Sequence, residues 1–512
     1  MKNVSKFEKT AARAWNFLNE GKSFLPIFVV GTILLSHGAT WLANPWLAAH
    51  GLAALVIVLP LLLLYMHFDF PLFLRNYLWL PLFVYVLLPW PPGYAPFEPR
   101  LALFATGLYF FFTVFFWGTF YYRMRIGTPW NNYARFWKLV LKHSDSTSGN
   151  AQEQIPKFLL ILSLWHWTYR WFGEAWTPLR DGLLTWGFIA GVGLYAWILH
   201  RNLFDWKPKM YDWFTKDRYP APTEPLARRV YVIVLDGMRK ERFYEANTPF
   251  LDKLRREGTE YVHMETIYPA RTVVCFSSMH TGAYPREHGI TSNLVIRYGV
   301  KVESVFDALR RGGKKGRLLG IAHLVDAFGD DVESITAVMK HDEADPSTLQ
   351  RALKVVREQD PDLLTVQFIG TDQIGHARGV FYDDYIEKIE AADRLVETFV
   401  KELEDSGKLE KATLIVCADH GQADGIGGHG HLDEGERFVP FFVWGEGVAR
   451  GRRVEARHSL VSLAATVTQL LGCPFPSHAH GPSLVDSFRA DAAASSPAGI
   501  GDAAAAEGEP TR

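Results

Sequence analysis

Four short runs after residue 228 of this 512-residue chain hold the residue types that metal-assisted chemistry needs. The first is Asp236-Gly237, at the end of the apolar run Val232–Val234. An Asp before Gly also caps turns, so alone it says little. The second runs from Tyr268-Pro269-Ala270-Arg271-Thr272 through Thr281-Gly282 to Pro285, His288, Gly289 and Ile290. Thr272 follows a Pro-containing turn and is expected to open a helix. The N–H groups at a helix start favour an anion, and so favour the alkoxide of a hydroxyl; an ordinary capping threonine would sit there too. The third run holds Asp372 and His376, four apart with Gly375 between them, directly after a strand-like stretch. They can reach one ion together or form a plain surface pair. The fourth is Asp419-His420, followed by Gly427-Gly428-His429-Gly430-His431. It is the most specific of the four, because histidines buried for packing rarely come in such a series.

Sorted by ligand type, these residues make one site. Asp236, Asp419 and His420 can hold one divalent ion with the Thr272 oxygen, and Asp372, His376 and His429 a second. Mixed histidine and carboxylate ligands suit Zn2+, and three protein ligands per ion leave a position open. Two ions roughly 4 Å apart would clamp the attacking and leaving oxygens of an in-line displacement. Coordination also makes an alkoxide of a hydroxyl that is unreactive at neutral pH. Two divalent metal ions, with Zn2+ the expected element, are therefore the anticipated cofactors.

Strand-like and helix-like stretches alternate around these runs. Arg229–Leu235, Leu363–Ile369 and Thr413–Cys417 read as strands. Thr248–Gly258, with Pro249 in its first turn, Val302–Arg311, Pro346–Gln359 and Asp383–Leu403 read as helices. The alternation predicts an α/β domain over residues 229–489, three-layered around a mostly parallel sheet. Open parallel sheets bind ligands at the C-terminal ends of their strands, where most of the chemistry-bearing runs fall. Cys275, Cys417 and Cys473 form no CxxC pair and are expected to be buried hydrophobes.

The first half is of another kind. No Asp, Glu, Lys or Arg occurs from Ser23 to Phe68, and the 17 Trp and 35 Phe residues crowd into the first half of the chain. That composition predicts an all-α, multi-pass membrane domain over residues 23–204, preceded by a basic amphipathic leader (1–22). Six candidate spans are Phe24–Leu42, Trp46–His67, Tyr77–Trp90, Leu101–Tyr122, Phe158–Trp171 and Gly182–Leu199. His166 and Arg170 weaken the fifth. A linker (205–228) and a disordered tail (490–512) complete the plan. Basic residues after the last span favour a cytoplasmic globular half; an interfacial fifth segment would put that half on the other side. The net charge of -1 offers no basis for a nucleic-acid partner.

The order and type of the four clusters resemble the alkaline phosphatase superfamily, and most its nucleotide pyrophosphatase/phosphodiesterase branch, over about Arg229 to Leu484. The resemblance implies an alkaline-phosphatase-like fold, Thr272 as nucleophile, a phospho-threonine intermediate and two zinc ions. It also implies that Asn293 donates to a non-bridging phosphate oxygen, beside the backbone N–H that follows Thr272. Arg271 departs from that branch's usual Lys, and Val273-Val274-Cys275 differ too. Around His429, the Gly-His-Gly run with Pro440 and Trp444-Gly445 is more similar to ethanolamine-phosphate transferases of glycosylphosphatidylinositol lipids. His431 competes for the ligand role, and the spacing from His429 to Pro440 favours His429. A sulfatase would need Cys or Ser in a Cys-x-Pro-x-Arg context, which is lacking here. The implied activity is a type I phosphodiesterase acting on a phosphodiester or pyrophosphate, with a head-group transferase as the alternative. The adjoining membrane half leaves a lipid-linked substrate open and makes membrane lipids expected neighbours.

Overall fold

The computed structural model describes residues 10–488 except 11–12, 15–16, 18–20, 69, 71, 91–93, 95, 143–150, 173–176, 204–208, 223, 296, 336–341, 425–427, 431–432 and 485–486. Most of the basic leader, His431 and the tail from residue 490 lie outside the described residues. Two separate hydrophobic cores form, one from residues 24–199 and one from residues 227–488.

The first core belongs to a helical bundle. Four helices, Ser23–Ala43, Pro45–His67, Pro99–Met124 and Leu179–Leu203, are long and apolar enough to cross a membrane. Asn44 separates the first two: its side chain accepts from the Trp46 N–H at 3.1 Å, and Pro45 opens the new helix. Leu35, Leu42, Leu87 and Leu103 point outward, as a lipid-facing surface requires. Tyr77–Trp90 yields a shorter apolar helix, Leu74–Leu87. The doubtful fifth segment is part of Ala151–Arg170, a helix buried in the middle of the bundle rather than laid on it. Its Trp165 indole donates to Gly51 O at 3.1 Å, and Ser163 O accepts from the Tyr85 hydroxyl at 3.0 Å. Glu153 and Lys157 in its first two turns pair with each other, Glu153 also lying 3.7 Å from Arg75.

The second core surrounds a nine-stranded sheet. β1 (Arg229–Leu235), β2 (Thr259–Glu265), β3 (Gly316–Ile321), β4 (Val332–Ile335), β5 (Leu363–Phe368), β6 (Ala412–Cys417), β7 (Phe438–Val439) and β8 (Phe441–Gly445) run in the order β4-β3-β5-β1-β6-β8-β2-β7. β9 (Arg452–Ser459) pairs with β2. The five strands from β4 to β6 are mutually parallel, and β8 runs antiparallel to β6. β1, β5 and β6 are buried on both faces, which explains their unbroken apolar sequences. Their register sets Leu235 against Phe368 and Val234 against Cys417, so all three strands stop at one edge. The segment before β1 lies against this half: Lys209 N donates to Glu265 Oε2 at 2.8 Å and Thr215 N to Ala479 O at 2.6 Å.

The helix Thr272–Thr281 is buried along its whole length. His280 on it stacks on Phe276 and Phe306, and burial pushes its pKa down to about 4. His288 accepts from the Ile290 N–H at Nδ1, so its Nε2–H must donate to Ser278 Oγ at 2.9 Å; burial pushes its pKa down to about 3. Both rings are neutral in the fold, whereas the unfolded chain protonates them below about pH 6.5. Stability from His288 is thus complete above that pH and lost as pH falls toward 3, by about 1.4 kcal/mol per unit. In His288→Gln this dependence is absent. The stability gap between wild type and variant, measured by urea unfolding at pH 7.5 and 5.5, should shrink by roughly 1 kcal/mol; a constant gap would contradict the buried neutral ring.

Candidate metal centre

The common edge of β1, β5 and β6 gathers the carboxylates. Asp236 follows β1 directly, Asp419 lies two residues beyond β6, and Asp372 sits in the first turn of the helix Gly370–Arg378 after β5. That helix also carries His376 one turn later, with Nε2 3.1 Å from Asp372 Oδ1. Two glycines permit this crowding. A Cβ on Gly375 would lie 1.7 Å from Gln422 Oε1, and one on Gly237 2.8 Å from Gln422 Nε2. Gly237 also has a φ of +64°, which a larger residue resists.

Two groups of ligand atoms result, Asp236/Asp419/His420 and Asp372/His376/His429, each with its atoms within 4.8 Å of one another. In the first, His420 Nε2 lies 3.5 Å from Asp236 Oδ1, 3.4 Å from Asp419 Oδ2 and 3.3 Å from Thr272 Oγ1. In the second, His429 Nε2 lies 3.5 Å from Asp372 Oδ1. The two groups are neighbours, for the rings of His420 and His429 stack with centroids 3.8 Å apart. Thr272 opens its helix as the sequence suggests, and His429 reaches the turn before it through Nδ1, 2.7 Å from Ala270 O.

The hydrogen bonding shows what the groups lack. A carbonyl only accepts, so the contacts His420 Nδ1–Gly421 O (2.8 Å) and His429 Nδ1–Ala270 O require the proton on Nδ1. In the neutral rings the Nε2 lone pairs then face carboxylate oxygens, an arrangement that repels unless a cation lies between. Asp236 Oδ1 and Asp419 Oδ2 are buried, without a hydrogen-bond partner among the described residues. A tetrahedral ion with bonds of about 2.0–2.1 Å sets adjacent ligand atoms roughly 3.3–3.4 Å apart. The observed separations of 3.1–3.5 Å fit that spacing. Residues present and divalent ion are therefore compatible.

Electrostatics agree with this. Burial, with the charges of Asp419 and Asp372, holds the Asp236 carboxyl well above its ordinary range, and burial raises Asp419 as well. Burial opposes the charge on Asp372 too, yet His376 beside it holds that group low. Burial holds the His429 imidazole well below its ordinary range.

Several participants were not visible in sequence. Gln422 donates to Asp372 Oδ1 at 3.0 Å and wedges between Gly237 and Gly375. Gln367 on β5 donates to Asp236 Oδ2 at 2.6 Å, and Thr371 to the Asp236 carbonyl. Proximity to His420 was the one hint for Gln422. Asn293 lies beside Val273, and its Oδ1 accepts the Val273 N–H at 3.0 Å. The two expected phosphate donors thus bond to each other, which turns the Asn293 amide by its oxygen.

Comparison with known proteins bears on this geometry. Residues 230–311 match the family model for type I phosphodiesterase / nucleotide pyrophosphatase, and residues 314–474 that for the metalloenzyme superfamily. Through these two models the globular half is similar to the alkaline phosphatase superfamily. Among relatives of this half, ectonucleotide pyrophosphatase/phosphodiesterase family member 7 of Homo sapiens is 22% identical over 246 residues, 43% of this chain and 54% of its own length. Family member 1 of Mus musculus is 26% identical over 231 residues, 41% of this chain and 26% of its own. GPI ethanolamine phosphate transferase 1 of Aspergillus oryzae is 24% identical over 271 residues, 45% of this chain and 26% of its own. The chain thus spans about half or less of these curated relatives. The solved murine ectonucleotide pyrophosphatase / phosphodiesterase 5 aligns with 51% of this chain and 100% of its own, at 14% identity and a TM-score of 0.44.

Proposed function

We propose that the chain is a membrane-anchored, two-ion phosphodiesterase or pyrophosphatase that works through a phospho-threonine at Thr272. The supporting observation is the set of histidine lone pairs and partnerless carboxylate oxygens facing one another beside Thr272 Oγ1. Asp236, Asp419 and His420, with Thr272, hold one ion; Asp372, His376 and His429 hold the other. Bound divalent ions, of which Zn2+ best suits the donors, supply Lewis-acid charge that acidifies a hydroxyl and offsets charge on a leaving oxygen.

The Thr272 oxygen attacks phosphorus, and its new O–P bond forms as the bond to the leaving group breaks. The electron pair departs with the leaving oxygen. Water then attacks the same phosphorus, the P–O bond to Thr272 breaks, and the hydroxyl is restored. The start of the Thr272–Thr281 helix orients positive N–H dipoles toward the developing charge. Asn293, turned by Val273 N–H, donates to a non-bridging oxygen. His429 is held by Ala270 O and His420 by Gly421 O, which fixes both rings.

A second reading is supported by the similarity to the Aspergillus oryzae transferase. A lipid or glycan hydroxyl would take the place of water, and a head group such as phosphoethanolamine would move. Zinc-loaded full-length protein incubated with an aryl phosphodiester and a head-group-labelled phospholipid separates the two. The hydrolase reading predicts steady release in buffer alone. Release only after a lipid or glycan hydroxyl is supplied would overturn it in favour of transfer. The basic residues beside the last span favour a cytoplasmic catalytic half, and a reporter fused to the C-terminus tests that side.

A further inference from the structure

The helix that bears Asp372 and His376 ends against the membrane half. Asn132, at the start of the helix Asn132–Lys142, is fully buried there. Its amide nitrogen donates to Ala377 O at 3.0 Å and to Gly118 O at 2.5 Å, while its oxygen accepts from Arg378 Nη1 at 2.6 Å. Two carbonyls need donors and a guanidinium needs an acceptor, so this amide orientation is forced. Ala377 and Arg378 directly follow His376 and form the last turn of its helix. The last four carbonyls of a helix lack partners within it, and Ala377 O is one of them. Its partner comes from the other half of the protein.

The opposite end of the bridge is equally specific. Gly118 lies in the π-helical stretch Phe111–Tyr121 of the third long apolar helix. A Cβ there would come 2.3 Å from Phe136 Cδ1, on the Asn132 helix. Gly118 therefore lets Phe136 pack close and sets where Asn132 stands. Beside the bridge, Arg135 pairs with Asp384 at 2.7 Å and lies 4.2 Å over the Tyr382 ring. Arg378 bonds the same Asp384 at 3.1 Å.

We infer that Asn132 is a positioning residue of the second metal site: through the Ala377 carbonyl, the membrane half fixes the helix turn carrying His376. The inference rests on the reading that Asp372, His376 and His429 hold an ion. The bundle is then part of the metal centre, not only an anchor. Groups acting behind metal ligands commonly affect affinity by about 10–100-fold, and Asn132 acts one contact further out.

The test is zinc content of full-length protein equilibrated against a chelator series. Asn132→Ala is expected to give up one of two ions at about tenfold lower chelator strength, while the other keeps wild-type affinity. Asn132→Asp keeps an acceptor for Arg378 but cannot donate to Ala377 O, so it should behave like Ala. Gly118→Ala, which pushes Phe136 away, should show the same one-ion loss even if Asn132→Ala folds poorly. Arg135→Ala, at the same junction but off the bridge, should leave both ions unchanged. Wild-type retention of both ions in Asn132→Ala and Gly118→Ala, or equal weakening of both, would overturn the inference. His376→Ala is the reference: if it loses no ion, the underlying metal reading fails, whatever Asn132 does.

Discussion

Thr272→Ala stops turnover of an aryl phosphodiester while leaving two ions bound. The expected fall in kcat is on the order of 10^4-fold or more, because no other hydroxyl replaces the nucleophile. Thr272 supplies an oxygen 3.3 Å from His420 Nε2, at the first position of a buried helix. The Ala variant keeps the helix and every carboxylate and imidazole ligand, so metal content should not move. Thr272→Ser keeps the oxygen and should retain measurable activity. Near wild-type rates in the Ala variant would remove Thr272 from the mechanism.

Removal of the ions has the second largest effect, on stability as well as activity. Three carboxylates and three imidazoles are packed at one sheet edge, with Asp236, Asp419 and His420 buried. A ligand present at 1,000 times its Kd stabilises by about 4 kcal/mol. For a globular half of this size each kcal/mol shifts the melting midpoint by roughly 2–4 °C. Stripping zinc should therefore lower the midpoint by about 10 °C. Asp419→Asn removes one of the crowded charges while its oxygen can still accept the Gly237 N–H. Its metal-free form should melt above metal-free wild type, yet zinc should raise it little, and turnover should be lost. A metal-free wild type that melts no lower than the zinc-loaded protein would contradict the site.

Much of this arrangement could be read from sequence because the central strands are buried on both faces. β1 runs from Arg229 to Leu235 as its β-branched residues suggest, and β5 and β6 start and stop within a residue of expectation. An acidic residue just past such a strand is conspicuous, which is why Asp236 and Asp419 stood out. The other side of the sheet was hidden. β2 carries Glu260 and Glu265, buried with Arg255 against one and Arg437 and Arg457 against the other. β9 is largely polar and pairs in parallel with β2 across nearly two hundred residues. No local pattern reveals a strand whose charges are matched that far away. Gln422, Gln367 and Asn132 gave little or no signal for the same reason, since each bonds to partners distant in the chain. The central place of the helix Ala151–Arg170 in the bundle was not legible either, since its Glu153 is matched by Lys157 on the same helix and by Arg75 far away in the chain.

The most direct measurement is rapid acid quench of zinc-loaded protein during turnover of a labelled phosphodiester, followed by peptide mass analysis. A phosphoryl ester should appear on the peptide that contains Thr272, rise within the first turnover and decay as substrate is exhausted. Turnover that continues with no covalent label, or with the label on another residue, would contradict the account.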